Sequence, residues 1–199
     1  MSSKADQCYD DSVEKSDKEL VKEYRDGNER AIEMLIARHL PSVYNFVKRF
    51  VDEEQASDVA QETFVRVWKH IKRYDENRSF KVWLFTIAKR LAIDFTRKRK
   101  HTPFSAFEND ESETFEVEDL SPLPHELFRG KEIAEALETL VKELPEDRRA
   151  IVILHDSEEL SFKDIAEIVD RPMNTVKSQY RRALLFLRKK IDDGNAPKL

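Results

Sequence analysis

The 199-residue sequence predicts an all-α protein made of two small helical domains, a bundle and a helix-turn-helix, joined by an acidic linker. Three observations predict it. Apolar residues recur at helical spacing from Leu20 to Phe95 and again from Ile133 to Leu187, with no internal repeat of fixed period. Ser161 to Lys190 reads as two short helices joined by a turn, the second basic along one side. The net charge of -5 is also unevenly spread: Val65 to His101 carries twelve Lys or Arg against three acids, whereas Thr102 to Phe128 carries eight acids and no Lys or Arg.

Taken in order, Ser16 and Glu19 have capping-box spacing ahead of Leu20, Val21 and Tyr24, and Gly27 closes that helix. A second helix begins near Asn28 with Ile32, Leu35 and Ile36, and a third apolar run follows Pro41 through Val43, Phe46, Val47 and Phe50. Asp58 to Tyr74 places Ala60, Phe64, Val67, Trp68 and Ile71 at helical spacing. After the loop DENR, a long helix runs from Ser79 to about Lys100, with Leu84, Ile87, Ala88, Leu91 and Phe95 as its buried stripe. Its RKRK end suits a helix C-terminus and a phosphate backbone alike. The segment around Pro103, Pro122 and Pro124 shows no sustained helical period and reads as an extended linker or a plain solvated spacer.

The C-terminal module starts at about Glu126. Ile133, Leu137, Leu140, Val141 and Leu144 share one helix, and Pro145 starts the next with Ala150, Ile151 and Leu154. Ser161 and Asp164 resemble a capping box before Phe162, Ile165, Ala166 and Val169, and Asp170, Arg171 and Pro172 interrupt the helix. In the last helix, at about 100° per residue, Val176, Tyr180, Ala183, Leu184 and Leu187 fall in one sector. Lys177, Ser178, Arg181, Arg182 and Arg188 fall opposite. One face packs and the other is free to enter a DNA groove; a solvated helix surface is the plainer reading of the charge run, and the capped partner helix favours the DNA reader.

Composition excludes other classes. No run approaches the ~18 apolar residues of a membrane span, and the polar, acidic N-terminus lacks an export signal's layout, so a cytoplasmic chain without membrane insertion is expected. Cys8 alone forms no internal disulfide, and no Cys/His spacing suggests a metal site. Three glycines and no phosphate-binding loop argue against nucleotide cradling. His39, His70, His101, His125 and His155 are scattered without a nucleophile nearby, so no catalytic residues, cofactor or small-molecule substrate are expected and the chain is read as a non-enzyme.

The stretches QASDVAQETFVRVWKHI, SFKVWLFTIAKRLAIDFTRKRK and LPEDRRAIVILHDSEELSFKDIAEIVDRPMNTVKSQYRRALLFLRK closely resemble sigma factors of the extracytoplasmic-function (ECF) group, over about Asp17 to Ile191. The resemblance implies a sigma-2-like domain over 16–101 and a sigma-4-like helix-turn-helix over 126–192. A 1–15 tail, a 102–125 linker and a 193–199 tail complete the chain. It further implies binding to core RNA polymerase and promoter DNA, and an anti-sigma partner. Asp58, Gln61 and Glu62 would meet the polymerase. Tyr74, Asn77, Ser79, Phe80 and Trp83 would capture a base flipped from the minus-ten element, which needs an aromatic or apolar pocket with polar edges. Arg90, Asp94, Arg97 and Lys98 would follow the strands, and Lys177, Ser178, Arg181 and Arg182 would face the minus-thirty-five element. The linker would thread toward the RNA path, its acids mimicking nucleic-acid charge.

Departures from the family pattern fall at Arg90 and Asp94, where members often carry amides, at Glu159 and Asn174, where Gly is usual, and at Gln179, where Arg is frequent; they leave base preference open. The alternative is a helix-turn-helix regulator that binds its operator without polymerase. It leaves the RKRK helix and acidic linker without a role.

Overall fold

The computed structural model describes residues 15–100 and 131–192, with the side chains of 98–100 and 131–136 outside that description. The expected linker at 102–125, the N-terminal segment to residue 14 and the 193–199 tail lie outside the described residues. All regular elements among those described are helical: α1 (Asp17–Arg25), α2 (Glu29–Val47), α3 (Glu53–His70), a 3-10 turn (Ile71–Arg73), α4 (Phe80–Lys100), α5 (Lys131–Glu143), α6 (Glu146–Val152), α7 (Phe162–Val169) and α8 (Met173–Lys190).

Local chemistry sets the boundaries. The Ser16 hydroxyl accepts from the Glu19 amide while the Glu19 carboxylate accepts from the Ser16 amide at 2.8 Å, completing the expected capping box. Gly27, at φ +101°, turns the chain from α1 to α2, a conformation that an L side chain adopts only with strain. Two boundaries differ from the sequence reading. α2 runs unbroken through Pro41, because apolar residues on both sides of it, Leu35, Val43, Phe46 and Val47, bury against the same core and offset the lost amide donor. α3 begins a turn earlier than Asp58, where Glu53 and Glu54 complement the helix dipole.

In the N-terminal module α1, α3 and α4 pack on α2 or on each other around Leu20, Leu35, Phe46, Ile71, Leu84 and Phe85, all fully buried. Phe46 meets the edge of Phe85 at 5.4 Å between centroids. Asp17 ties α1 to α2 by accepting from Arg38 Nη1 at 2.7 Å and His39 Nε2 at 2.8 Å. Burial opposes charge on this carboxyl, and the hydrogen bonds from His39 and Arg38 outweigh it, so its pKa sits below the ordinary value.

The C-terminal module packs α6, α7 and α8 around Ile151, Leu154, Ile165 and Val176. After α6 the backbone widens into a π-helical turn, Ile153–Ser157, and Glu159 follows at φ 55°. The family resemblance leads one to expect a glycine here, and the glutamate sits in the left-handed region. The modules are not separated: α4 packs directly against α7. No helix among the described residues is long and apolar enough to cross a membrane.

Candidate polymerase and nucleic-acid interface

α8 carries the first candidate face. Ser161 caps α7 by accepting from the Asp164 amide, as its spacing predicts. Asp170 then takes a left-handed conformation, φ 56°, while the Arg171 amide returns to Ala166 C=O at 3.1 Å, so the chain reverses in a tight stop before Pro172 opens α8. Val176, Ala183 and Leu187 are buried, Lys177 and Ser178 are exposed, and Arg181 and Arg182 are half-buried. The predicted split between packing and polar faces is therefore present. Gln179 is turned inward at 7% exposure, which removes it from any groove. Tyr180 pins α8 to the π-turn by donating to Asp156 Oδ1 at 2.7 Å; burial and then this carboxylate push the phenol far up, so it stays a donor.

The second face is the loop before α4 and α4 itself. Tyr74 and Phe80 are buried, at 5% and 4% exposure, and form with half-buried Trp83 an aromatic cluster whose centroids lie 5.1 to 5.8 Å apart. His39 closes it from α2, 5.4 Å from Phe80. Asn77 and Ser79 stand exposed beside this cluster, and Arg90, Asp94 and Arg97 are exposed at positions i, i+4 and i+7 along one side of α4. The side chain of Lys98 is outside the described residues. The aromatic part of the predicted pocket is thus a packed floor, with its polar edge in solvent. Burial, then Asp17, Asp75 and Glu76, raises the Tyr74 pKa, and the phenol donates to Arg78 C=O.

The third face lies on α2 and α3. Asp58, Gln61 and Glu62 are all exposed on α3, with Glu62 paired to Arg66 at 2.9 Å. Gln61 lies on the rim of an open apolar groove of about 730 Å³ whose walls include Leu40, Pro41, Tyr44, Phe64 and Trp68. Trp68 falls within the apolar spacing of α3 yet is 56% exposed, and Leu40 is 42% exposed. Exposed apolar surface rimmed by polar groups occurs at protein–protein and ligand contacts more often than elsewhere. Helical spacing alone could not separate Trp68 from its buried neighbours. Among the described residues no group of His, Cys, Asp or Glu is arranged to hold a metal ion.

Residues 35–102 match the family described as Sigma-70 region 2, and residues 131–187 match Sigma-70, region 4. The chain is 30% identical over 193 residues to the RNA polymerase sigma-H factor of Pseudomonas aeruginosa, covering 94% of this chain and 97% of that one. It is 28% identical over 181 residues to the ECF RNA polymerase sigma-E factor of Haemophilus influenzae, covering 88% and 95%. The fold is also that of the sigma factor RpoE from Bartonella quintana, solved in complex with the anti-sigma factor NepR, at TM-score 0.59 and 22% identity over 80% of this chain and 96% of that one. Two sigma-70 regions in this order, within relatives matched along nearly their whole length, leave no room for a polymerase-independent regulator: the chain belongs to the ECF group of the sigma-70 family and is a sigma factor.

Proposed function

We propose that the three faces divide the work of initiation in the cytoplasm, where polymerase and promoter are found. The α2–α3 groove, with Trp68 in its wall and Asp58, Gln61 and Glu62 along its side, docks core RNA polymerase. The Tyr74–Trp83 segment receives an unpaired minus-ten base: Asn77 and Ser79 offer hydrogen bonds at the edge, and half-buried Trp83, held in place by the packed rings of Tyr74 and Phe80, offers the surface for the stacking that offsets the few kcal/mol lost on extrusion. Arg90 and Arg97 lie along the strand path, where cations neutralise phosphates, with Asp94 between them, and the family resemblance assigns Lys98 to the same role. Lys177, Ser178, Arg181 and Arg182 face the minus-thirty-five element, the arginines suited to bidentate reading of a guanine edge.

The observation that carries this reading is the separation of an exposed apolar groove from two cationic helix faces on one chain. A regulator that reads DNA unaided needs the second kind of surface and uses an apolar face only to pair with its own copy, whereas a sigma factor needs both kinds at once. The Bartonella relative is solved with an anti-sigma factor; such a partner for this chain would compete with polymerase by covering its docking faces. None of this requires catalysis by the chain itself. The test is a gel shift on a promoter selected from a random library: the purified chain alone leaves the duplex unshifted at concentrations where chain plus core enzyme shifts it fully. Tight, selective binding by the chain alone would overturn the division of roles.

A further inference from the structure

The loop from Tyr74 to Ser79 has almost no apolar core of its own: Asp75, Asn77, Arg78 and Ser79 are exposed. Polar ties hold its shape. The Asn77 amide and Nδ2 both donate to Asp75 Oδ1 at 3.0 Å. The strongest tie comes from outside, where Arg25 at the end of α1 donates from Nη1 to Glu76 and from Nη2 to the carbonyls of Ile71, at 3.1 Å, and Tyr74. One planar fork thus grips the turn before the loop, its first residue and its third, a set of acceptors that an ammonium cannot span. We infer that Arg25 is a positioning residue for minus-ten recognition. It fixes the exposed edge of Asn77 and Ser79 over the Tyr74, Phe80 and Trp83 floor, so that little ordering remains when DNA arrives. This rests on the assignment of the loop to unpaired DNA.

The test uses full-length Arg25→Ala, Arg25→Lys and Asn77→Ala chains, and the double Arg25→Ala/Asn77→Ala chain, with core enzyme on the selected promoter. Initiation falls about tenfold in Arg25→Ala, the scale of losing charge-assisted hydrogen bonds, and Arg25→Lys recovers only part. Affinity for core stays within about twofold, amides of the loop exchange faster, and Asn77→Ala costs less in the Arg25→Ala background than in wild type. Additive effects of the two substitutions, unchanged loop exchange, or an equal loss of core affinity would overturn the role. A wild-type chain that starts no transcripts with core sinks the sigma assignment of the loop instead, and is recognised by that control.

The packing of α4 against α7 is a separate matter. Packed helices lie about 8 to 10 Å apart, so α8, stacked on α7, stands roughly 20 Å from α4. Elements named for positions minus-ten and minus-thirty-five are about 25 base pairs apart, or about 85 Å of duplex at 3.4 Å per pair. The packed form cannot reach both. At the contact, Lys81 meets Glu158 Oε2 at 3.1 Å and donates to Glu158 C=O at 2.7 Å, and Arg78 pairs with Glu167. Glu158 is only 7% exposed. Lys89 is crowded too: burial lowers its pKa, Asp147 of the second module opposes this, and Arg171 of that module adds to it.

We propose that Glu158 and Glu167 form the clasp that holds this closed form, occupying Arg78 of the minus-ten loop and Lys81 of the helix after it as phosphates would. Single-molecule energy transfer between dyes at Glu29 and Lys189 of the full chain tests it. The wild type shows a dominant high-transfer population. Glu158→Gln/Glu167→Gln lowers the closed-to-open ratio at least about fivefold, and Glu167→Gln alone, on the exposed pair and harmless to the core, shifts it the same way by less. The double variant also binds a randomised 12-nucleotide single strand more tightly than a control chain with Glu29→Gln/Glu33→Gln. A wild type already open, populations unmoved by these changes, or an equal gain in the control would overturn the clasp, whatever the transcription assays report.

Discussion

Trp68→Ala isolates the docking role of the α2–α3 groove. A tryptophan side chain presents roughly 250 Å² of surface, and with 56% of Trp68 exposed about 140 Å² remains for a partner to cover. At about 25 cal/mol per Å² that is about 3.5 kcal/mol, and costs of association bring the expected loss to about 2 to 3.5 kcal/mol, or roughly 30- to 300-fold in affinity for core polymerase. The covered remainder of the ring supports the fold by less, so affinity is compared at a temperature where thermal unfolding shows both chains folded. The assay is competition for core enzyme against a fluorescently labelled wild-type chain. Glu62→Ala, at the rim and already paired with Arg66, costs under about 1 kcal/mol in the same assay. Affinity within twofold of wild type for a folded Trp68→Ala chain would refute the groove as the dock.

Other consequences follow from single positions. Arg181→Ala or Arg182→Ala lowers initiation at a promoter with a minus-thirty-five element by about 1 to 3 kcal/mol per lost base contact while core affinity holds; equal activity of both variants counts against α8 as the reader. Glu159→Gly relieves a left-handed conformation that costs about 1 to 2 kcal/mol and adds about 0.5 to 1 kcal/mol of backbone entropy to lose, so it stabilises by up to about 1.5 kcal/mol in urea unfolding, and a destabilised variant contradicts the strain. Asp17, whose folded pKa lies below the ordinary carboxyl value because burial is outweighed by the hydrogen bonds of His39 and Arg38 to its charged form, contributes stability that is complete above the unfolded pKa and disappears as pH falls from there through the folded value. Asp17→Asn is accordingly less stable by about 1 to 3 kcal/mol at pH 7, and the gap closes under acid; a gap constant down to pH 2 would sink this account of the α1–α2 tie.

Local chemistry made much of the architecture legible. Ser16 with Glu19, Ser161 with Asp164, and the Asp170–Pro172 stop are short-range signals whose geometry the fold reproduces. The α8 wheel sorted buried Val176, Ala183 and Leu187 from exposed Lys177 and Ser178 because one helix face must pack. What escaped was set by tertiary contact. Trp68 shares the apolar spacing of Phe64 and Val67, and only the position of α2 determines that its ring stays in solvent. Pro41 reads as a boundary until the core on both sides of it is seen. Arg25 is an ordinary last-turn cation until the chain fifty residues on comes to rest against it. The α4–α7 packing joins elements separated by a stretch with no pairing signal, so no sequence pattern announces it.

The central claim is that this chain supplies core RNA polymerase with promoter recognition it lacks. Run-off transcription with purified bacterial core enzyme on a library of random promoters measures it directly. Addition of the chain is expected to yield discrete transcripts from templates sharing two elements about 25 base pairs apart, with Lys177→Ala and Arg181→Ala chains weakening use of the upstream element alone. No transcripts above the level of core by itself, or transcripts from templates without a shared upstream element, would contradict the account.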